Sequence, residues 1–188
     1  MGRKKDEHDA ALVKNYISTA LLLLMEQNDY QSITVTDIAK KAGVSRMTYY
    51  RTYSSKEDIL IQYFNSLAHD FMQEIKSRPD ITLHQFAVHF LTFFKEHGSL
   101  LPTLKKANLL ELIFQNFIDN LKYFYTELSG NHQLSASENY HLHFNAGGLS
   151  FALILWSESG YKETPEQMAQ MLLPFMAPME NPDEPSDN

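Results

Sequence analysis

Residues 34–60, TVTDIAKKAGVSRMTYYRTYSSKEDIL, constrain the fold of this chain more than any other segment. Thr34 and Asp37 have the spacing of a capping box, which predicts a helix over residues 35–42. A tight turn, a second short helix and a third helix follow. This order is typical of a helix-turn-helix DNA-binding unit.

The turn and the second helix have their own signals. Gly43 tolerates a positive φ, and Ser45 is a favoured N-cap for a helix that begins at Arg46. Helical phase turns Tyr49 toward the core and leaves the base and phosphate candidates facing outward: Arg46, Met47, Thr48 and Tyr50. Of these, an arginine fork fits guanine O6 and N7, and Met47 or the Thr48 methyl group fits a thymine methyl group.

A known family has the same pattern. The segments Ile33-Thr34-Val35, Asp37-Ile38-Ala39, Ala42-Gly43-Val44-Ser45 and Thr48-Tyr49-Tyr50, with Tyr53 and Lys56, resemble the signature of the TetR family of transcriptional regulators over roughly residues 10–64. The resemblance implies that the second helix enters the major groove and that Thr36, Tyr50 and Lys56 contact phosphates. Met47 departs from the family pattern, which usually has a small residue there.

Lys56 is a phosphate candidate on physical grounds also, because its charge adds to the positive N-terminus of the helix that it begins. The predicted DNA-binding set is Thr36, Ser45, Arg46, Met47, Thr48, Tyr50 and Lys56.

Composition restricts the remaining classes of function. The chain has 188 residues, 44% of them hydrophobic, a net charge of −7 and no cysteine, so disulfides and thiolate metal sites are excluded. No apolar run is long enough to cross a membrane and the N-terminus lacks signal-peptide character, so we expect a cytoplasmic protein.

Glu138 and His141 form a single Glu-x-x-His, whereas a di-iron bundle needs two copies. We expect neither enzyme activity nor a cofactor or metal.

The periodicity predicts an all-α chain with a first helix over residues 9–28 and a long helix from residue 56 through about residue 75. Turn signals divide the rest into helices over 82–97, 99–106, 108–128, 135–158 and 165–177. We predict a three-helix DNA-binding domain at residues 1–64, a helical regulatory and dimerisation domain at 65–178, and a disordered acidic tail at 179–188.

The last two predicted helices are apolar on nearly every side, which indicates burial on more than one face. A protein that reads a palindrome needs a twofold partner, and the TetR resemblance implies that these helices pair in a homodimer. The predicted interface residues are Gly148, Phe151, Leu155, Trp156, Met168, Met171, Leu172 and Phe175.

The same resemblance implies a small-molecule effector pocket in the second domain. Candidate lining residues are Phe90, Phe94, His97, Phe117, Tyr123, Phe124 and His143, although aromatic residues at helical spacing are more often simply core. The sequence therefore favours a homodimeric regulator that binds double-stranded operator DNA and represses until a ligand releases it. The alternative is an activator or repressor that a partner protein controls without a small-molecule ligand.

Overall fold

The computed structural model describes residues 2–78, 80–128 and 133–176. These residues form an all-α fold without strands, as the sequence predicts. None of the described helices is both long and apolar enough to cross a membrane. The helices are α1 (Gly2–Gln27), a 3-10 helix (Tyr30–Ser32), α2 (Val35–Ala42), α3 (Arg46–Thr52), α4 (Lys56–Lys76), α5 (Leu83–Glu96), α6 (Leu100–Lys106), α7 (Leu110–Leu128), α8 (Ala136–Glu158) and α9 (Pro165–Met176).

Polar residues begin the helices where the sequence predicts. The Thr34 hydroxyl accepts a hydrogen bond from the backbone N–H of Asp37 at 3.2 Å, and the Asp37 carboxylate accepts one from the backbone N–H of Thr34 at 2.9 Å. At the start of α9, Thr164 and Gln167 form the same reciprocal pair at 3.2 and 2.9 Å. Each pair satisfies two backbone donors that the first turn of a helix leaves open.

Two local features differ from the sequence prediction. Helix α1 begins at Gly2 rather than near Asp9, because residues 3–9 contain no proline or glycine and include lysine, arginine and glutamate, which favour helix. The 3-10 helix Tyr30–Ser32 was not predicted, since three residues are too few to show a periodicity.

The structure divides into two compact units. The first contains Met1–Ser77 and Ser99–Gln133, and the second contains Arg78–Gly98 and Leu134–Asn188. The first unit thus joins α6 and α7 to the helix-turn-helix segment, whereas the sequence predicts a boundary near residue 64. The predicted acidic tail, residues 179–188, lies outside the described residues.

In the first unit, α1 packs against α2, α4 and α6, and α7 packs against α4 and α6. One cluster of buried side chains lies behind the helix-turn-helix segment and continues to α6 and α7. It consists of Ile17, Ala20, Leu21, Met25, Tyr30, Ile33, Ile38, Tyr49, Tyr53, Ile59, Leu60, Leu100, Leu104 and Ile113. This cluster supports α2 and α3 from the side away from solvent.

In the second unit, α5 packs along α9, and α8 contacts α9. Trp156, the only tryptophan of the chain, is buried and lies edge-on to the Tyr161 ring, with the ring centroids 5.0 Å apart. The Tyr161 hydroxyl donates a hydrogen bond to the Gly98 carbonyl at 2.9 Å, which joins the segment after α8 to the end of α5.

Candidate nucleic-acid interface

The turn between α2 and α3 has the predicted geometry. Gly43 has a φ of 69°, in the left-handed region, where a side chain would cost about 1–2 kcal/mol. The Ser45 hydroxyl accepts a hydrogen bond from the backbone N–H of Thr48 at 3.0 Å and so caps α3. The turn and the cap together direct the start of α3 away from α2.

One side of α3 faces solvent. The side chain of Met47 is 77% exposed and that of Tyr50 is 56% exposed, and Arg46 is also exposed. The Arg46 guanidinium carbon lies 6.0 Å from the centroid of the Tyr50 ring. The surface therefore combines a forked cation, an apolar side chain and a phenol, which suit a guanine edge, a thymine methyl group and a phosphate.

The opposite side of α3 is buried, as the helical phase predicts. Tyr49 is only 1% exposed, and its ring centroid lies 6.4 Å from that of the buried Tyr53. The Tyr49 hydroxyl has no hydrogen-bond partner among the described residues, and burial raises its pKa. Burial and the nearby Asp58 raise the pKa of Tyr53 to about 12. Both phenols are therefore neutral core groups at physiological pH.

Two predicted phosphate contacts lie at helix starts. Thr36 is exposed in the first turn of α2. Lys56 begins α4, but its ammonium group donates hydrogen bonds to the backbone carbonyls of Tyr30 and Ile33 at 2.7 and 2.9 Å. The structure thus shows an intramolecular role for Lys56 that the sequence did not predict, and its phosphate contact stays a prediction.

Sequence reasoning also missed Tyr30, Glu57 and Asp58, which lie close to α3. The Tyr30 hydroxyl donates to the Glu57 carboxylate at 2.5 Å, and Asp58 accepts from the backbone N–H of Ser54 at 2.9 Å. The hydrogen bond from Ser54 holds the pKa of Asp58 below its usual range, against a smaller opposite effect of burial. The segment Ser-Ser-Lys-Glu-Asp could have indicated a capping role for Asp58, because serine before a helix and an acidic residue in its first turn are typical of helix caps. No local signal connects Glu57 to Tyr30, which lies 27 residues earlier.

The predicted effector-pocket residues are divided between the two units. Phe90, Phe94 and His97 belong to the second unit, where the rings of Phe90 and Phe94 lie 4.8 Å apart. His143 of that unit is exposed. Phe117 and Tyr123 belong to the first unit, and the side chain of Phe124 lies outside the described part of the chain. A shared pocket for these residues remains a prediction.

A surface groove of about 310 Å³ lies elsewhere in the second unit, on a more polar face of α5. Its lining residues are Arg78, His84, Gln85, Val88, His89, Thr92 and Glu166. None of them belongs to the predicted pocket set, which consists largely of aromatic residues.

Helix α8 presents two apolar faces. Residues on one face, including Leu149, Leu153 and Trp156, are buried within the unit. The other face, which we call the α8 stripe, runs along the helix at spacings of three and four and is exposed; it consists of Tyr140, Phe144, Gly148, Phe151 and Leu155. Met171 and Phe175 of α9 are likewise exposed, and Leu172 is half-buried.

Two residues of the predicted dimer interface do not lie on this exposed surface. Trp156 and Met168 are buried inside the second unit, because their helical phase places them on the inner faces of α8 and α9. The sequence also overlooked Tyr140 and Phe144, which extend the α8 stripe by two turns.

The Glu138 and His141 pair has local structural partners. The Glu138 carboxylate accepts hydrogen bonds from the backbone N–H and the hydroxyl of Ser135 at 2.8 and 2.7 Å, which caps α8. The His141 Nε2 atom lies 2.8 Å from the Asn145 amide nitrogen. Among the described residues, no group of three or more histidine and acidic side chains is arranged to hold a metal ion.

A capped helix pair with an exposed, arginine-bearing second helix defines a helix-turn-helix unit, the architecture of one large class of DNA-binding proteins. Residues 17–63 match the family model described as bacterial regulatory proteins of the tetR family. Residues 17–63 are thus similar to the segment that this family of bacterial regulators shares, as the sequence resemblance predicts. The relatives that the chain matches are regulators rather than enzymes, which agrees with the sequence prediction.

Individual relatives give the extent of the similarity. The transcriptional regulator AlkX of Mycobacterium tuberculosis is 30% identical over 117 residues, which are 57% of this chain and 56% of that protein. The chain spans about half the length of the curated relatives that it matches. A TetR regulator structure from Streptococcus agalactiae is 24% identical, with a TM-score of 0.63 over 94% of this chain and 99% of that one.

A second solved structure has the same fold. FadR from Bacillus subtilis, in complex with stearoyl-CoA, is 18% identical, with a TM-score of 0.54 over 86% of this chain and 96% of that one. At this identity the comparison is evidence for the fold alone.

Proposed function

We propose that this protein is a homodimeric repressor that binds a pseudo-palindromic operator and is released from it by a small-molecule effector. The observation that carries the proposal is the exposed face of α3, where Arg46, Met47 and Tyr50 project into solvent while Tyr49 fixes the opposite side of the helix in the core. An exposed methionine and tyrosine beside an arginine have little structural use on a solvent-facing helix, but they fit base edges and phosphates in the major groove.

The net charge supports a specific mode of binding. A chain with a charge of −7 is a poor non-specific DNA binder, since that mode depends on many basic contacts that release counterions. Affinity must then come from a small face of complementary shape and hydrogen bonding, such as the exposed side of α3.

The α8 stripe supports the homodimer. Phe151 and Leu155 are each 70% exposed, and contiguous apolar surface of this kind is unusual on a protein that stays monomeric. Gly148 lies in the middle of the stripe, and a Cβ atom added to it would meet nothing within 4 Å in the same chain. A glycine without an internal packing reason is consistent with the close approach of a second α8 helix at this point.

The second unit supports an apolar effector. Phe86, Phe90 and Phe94 follow one another along α5, with ring centroids 6.3 and 4.8 Å apart. FadR from Bacillus subtilis shares the fold and binds stearoyl-CoA, so long-chain acyl-CoA is a suitable first class of compound to test. Within the first unit, α4 begins beside α3 and packs against α7, where Asn65 accepts hydrogen bonds from Asn116 and Asn120 at 3.0 and 3.1 Å, so a displacement of α7 would reach α3 through α4.

Fluorescence-anisotropy titration tests the proposal directly. The purified protein is titrated against the DNA upstream of its own gene and against a scrambled duplex at physiological salt. We expect a preference of ~10³-fold or more. Equal weak binding to this duplex, to the scrambled control and to every duplex selected from a random library would contradict the proposal and favour control through a partner protein.

A further inference from the structure

The two ends of the helix-turn-helix segment lie in contact with each other. The chain enters the segment through the 3-10 helix Tyr30–Ser32 and leaves it at the start of α4, with both α2 and α3 in between. Tyr30 and Ile33 at the entrance contact Lys56 and Glu57 at the exit. These contacts close the chain into a loop that contains α2 and α3, the two helices that we call the DNA reader.

Lys56 and Glu57 hold Tyr30 at three separate points. The Lys56 ammonium group donates to the Tyr30 carbonyl at 2.7 Å and lies 4.3 Å from the centroid of the Tyr30 ring. At the far end of the same side chain, the Tyr30 hydroxyl donates to the Glu57 carboxylate at 2.5 Å. Charged hydrogen bonds and a cation over an aromatic face are among the stronger polar contacts available to a protein.

Burial makes these contacts persistent. The Tyr30 side chain is only 3% exposed, and burial together with the hydrogen bond to Glu57 raises its pKa well above the usual range, so the phenol stays a donor at physiological pH. Burial opposes ionisation of Glu57, but hydrogen bonds, first among them that from Tyr30, outweigh it and lower the pKa of the carboxyl. The contact between Tyr30 and Glu57 therefore has its ionised acceptor present at neutral pH.

The intramolecular contacts of Lys56 leave few of its hydrogen-bond donors available for DNA. An ammonium group has three N–H donors, and two of them bond to the carbonyls of Tyr30 and Ile33. To bind a phosphate as the family resemblance implies, Lys56 would have to give up these carbonyls or use its single remaining donor.

We propose that Lys56, Tyr30 and Glu57 form a clamp that fixes α2 and α3 relative to α4, so that Lys56 is a positioning residue for base reading rather than a phosphate ligand. The inference rests on the proposed DNA-binding function. Bidentate base contacts require placement within about 0.5 Å and 10–20°. Release of the clamp therefore weakens sequence-specific binding, which depends on that placement, more than it weakens binding through phosphates.

Two substitutions and one control test the clamp. Lys56→Met removes the charge and keeps most of the side-chain volume, and Tyr30→Phe removes only the hydroxyl that bonds to Glu57. Lys41→Met, at an exposed position in the last turn of α2, removes the same charge outside the clamp. The probes are the tightest duplex that the wild-type protein selects from a random library and a scrambled version of it, each titrated over a series of salt concentrations with protein shown by circular dichroism to be folded.

The clamp predicts a loss of specificity without a change in salt dependence. We expect the ratio of selected to scrambled affinity to fall ~10–100-fold in Lys56→Met, which loses two charged hydrogen bonds, and ~5-fold in Tyr30→Phe, which loses one. The slope of log affinity against log salt stays at the wild-type value in both. Tyr30 is buried and cannot touch DNA, so an effect of Tyr30→Phe on the ratio reports position alone.

Other outcomes would overturn the clamp. Equal weakening on both duplexes by Lys56→Met, with a slope smaller by ~0.9, would show a phosphate ligand. A lower melting temperature with an unchanged affinity ratio would show a contribution to stability only. The wild-type ratio separately checks the proposed function: a value near one refutes that function, whereas a large value retained by both variants refutes the clamp alone.

Discussion

Side chains along α3 divide sharply between core and solvent within a single turn of helix. Tyr49 is 1% exposed while its neighbour Tyr50 is 56% exposed, although the two residues have the same chemistry. Helical phase decides the difference, and phase can be read from the sequence once the N-cap at Ser45 is known. For this reason the outward orientation of Arg46, Met47 and Tyr50 was predictable, whereas Thr48, also predicted to face outward, is only partly exposed.

Arg46 is expected to read one base position. Its replacement by alanine should cost about 1–3 kcal/mol on the selected operator and relax the preference at a single base pair, because a bidentate contact to guanine is lost. Anisotropy titration against the operator and its single-base variants measures both effects.

Arg51→Ala is the matched control for Arg46→Ala, since Arg51 is exposed in the last turn of the same helix. This control should leave the base preference unchanged. Equal losses on operator and scrambled DNA for Arg46→Ala would show that Arg46 contacts only the backbone.

Tyr53 should make the protein sensitive to alkali. Its pKa rises from 10.0 to about 12 on folding, so its contribution to stability is complete below pH 10 and is lost as the pH rises through 12. In Tyr53→Phe, the free energy of unfolding should decline less steeply over this range. Chemical denaturation at a series of pH values measures the decline, and Tyr16→Phe, at an exposed position in α1, serves as control. Parallel decline in all three proteins would exclude the contribution of Tyr53.

At the scale of elements, the apolar residues of α8 lie on two faces, one buried within the second unit and one exposed. Their distribution all round the helix predicts burial on more than one side, and the structure assigns Leu149, Leu153 and Trp156 to the inner face. The sequence could not make this division, because both faces have the same composition. Only the packing of α5, α8 and α9 shows which residues remain exposed.

Phe151→Glu should convert the proposed dimer to a monomer. Burial of one such side chain contributes ~1.5–3 kcal/mol to the free energy of association. Because a twofold interface contains the same residue from both subunits, the substitution acts twice, and the dimer dissociation constant should rise ~10²–10⁴-fold. Sedimentation velocity over a range of protein concentrations measures the change.

Tyr123→Glu is the control, since Tyr123 is an exposed aromatic residue of α7 outside the α8 stripe. This variant should remain dimeric. If Phe151→Glu sediments as the wild type does at every concentration, the α8 stripe is not the dimer interface.

At the scale of the whole molecule, the proposed function requires that operator binding and effector binding be linked. If an effector lowers operator affinity, the operator lowers effector affinity by the same factor. The charge of −7 leaves little non-specific attraction to DNA, so even a modest displacement of the readers should release the protein.

Stearoyl-CoA should stabilise the protein and weaken operator binding. At a hundredfold excess over its dissociation constant, an effector adds ~2.7 kcal/mol to the free energy of unfolding. Differential scanning fluorimetry across acyl chain lengths detects this, and the intrinsic fluorescence of Trp156 reports on the second unit. Free coenzyme A is the control, and an unchanged melting temperature and operator affinity with every acyl-CoA would rule out this class of effector.

Local sequence signals predicted most of the helices and the exposed face of the helix-turn-helix segment. Capping boxes, Gly43 and helical periodicity act over a few residues, so the bounds of α2 and the outward face of α3 could be read from neighbouring positions. The start of α9 followed from the pair Thr164 and Gln167 for the same reason.

Tertiary structure alone decided which residues far apart in the chain meet. The approach of Tyr30 to Lys56 and Glu57, the grouping of α6 and α7 with the reader, and the choice between the two faces of α8 all depend on packing. Such contacts join residues separated by tens of positions, and their geometry is set by how whole helices fit together rather than by any local preference.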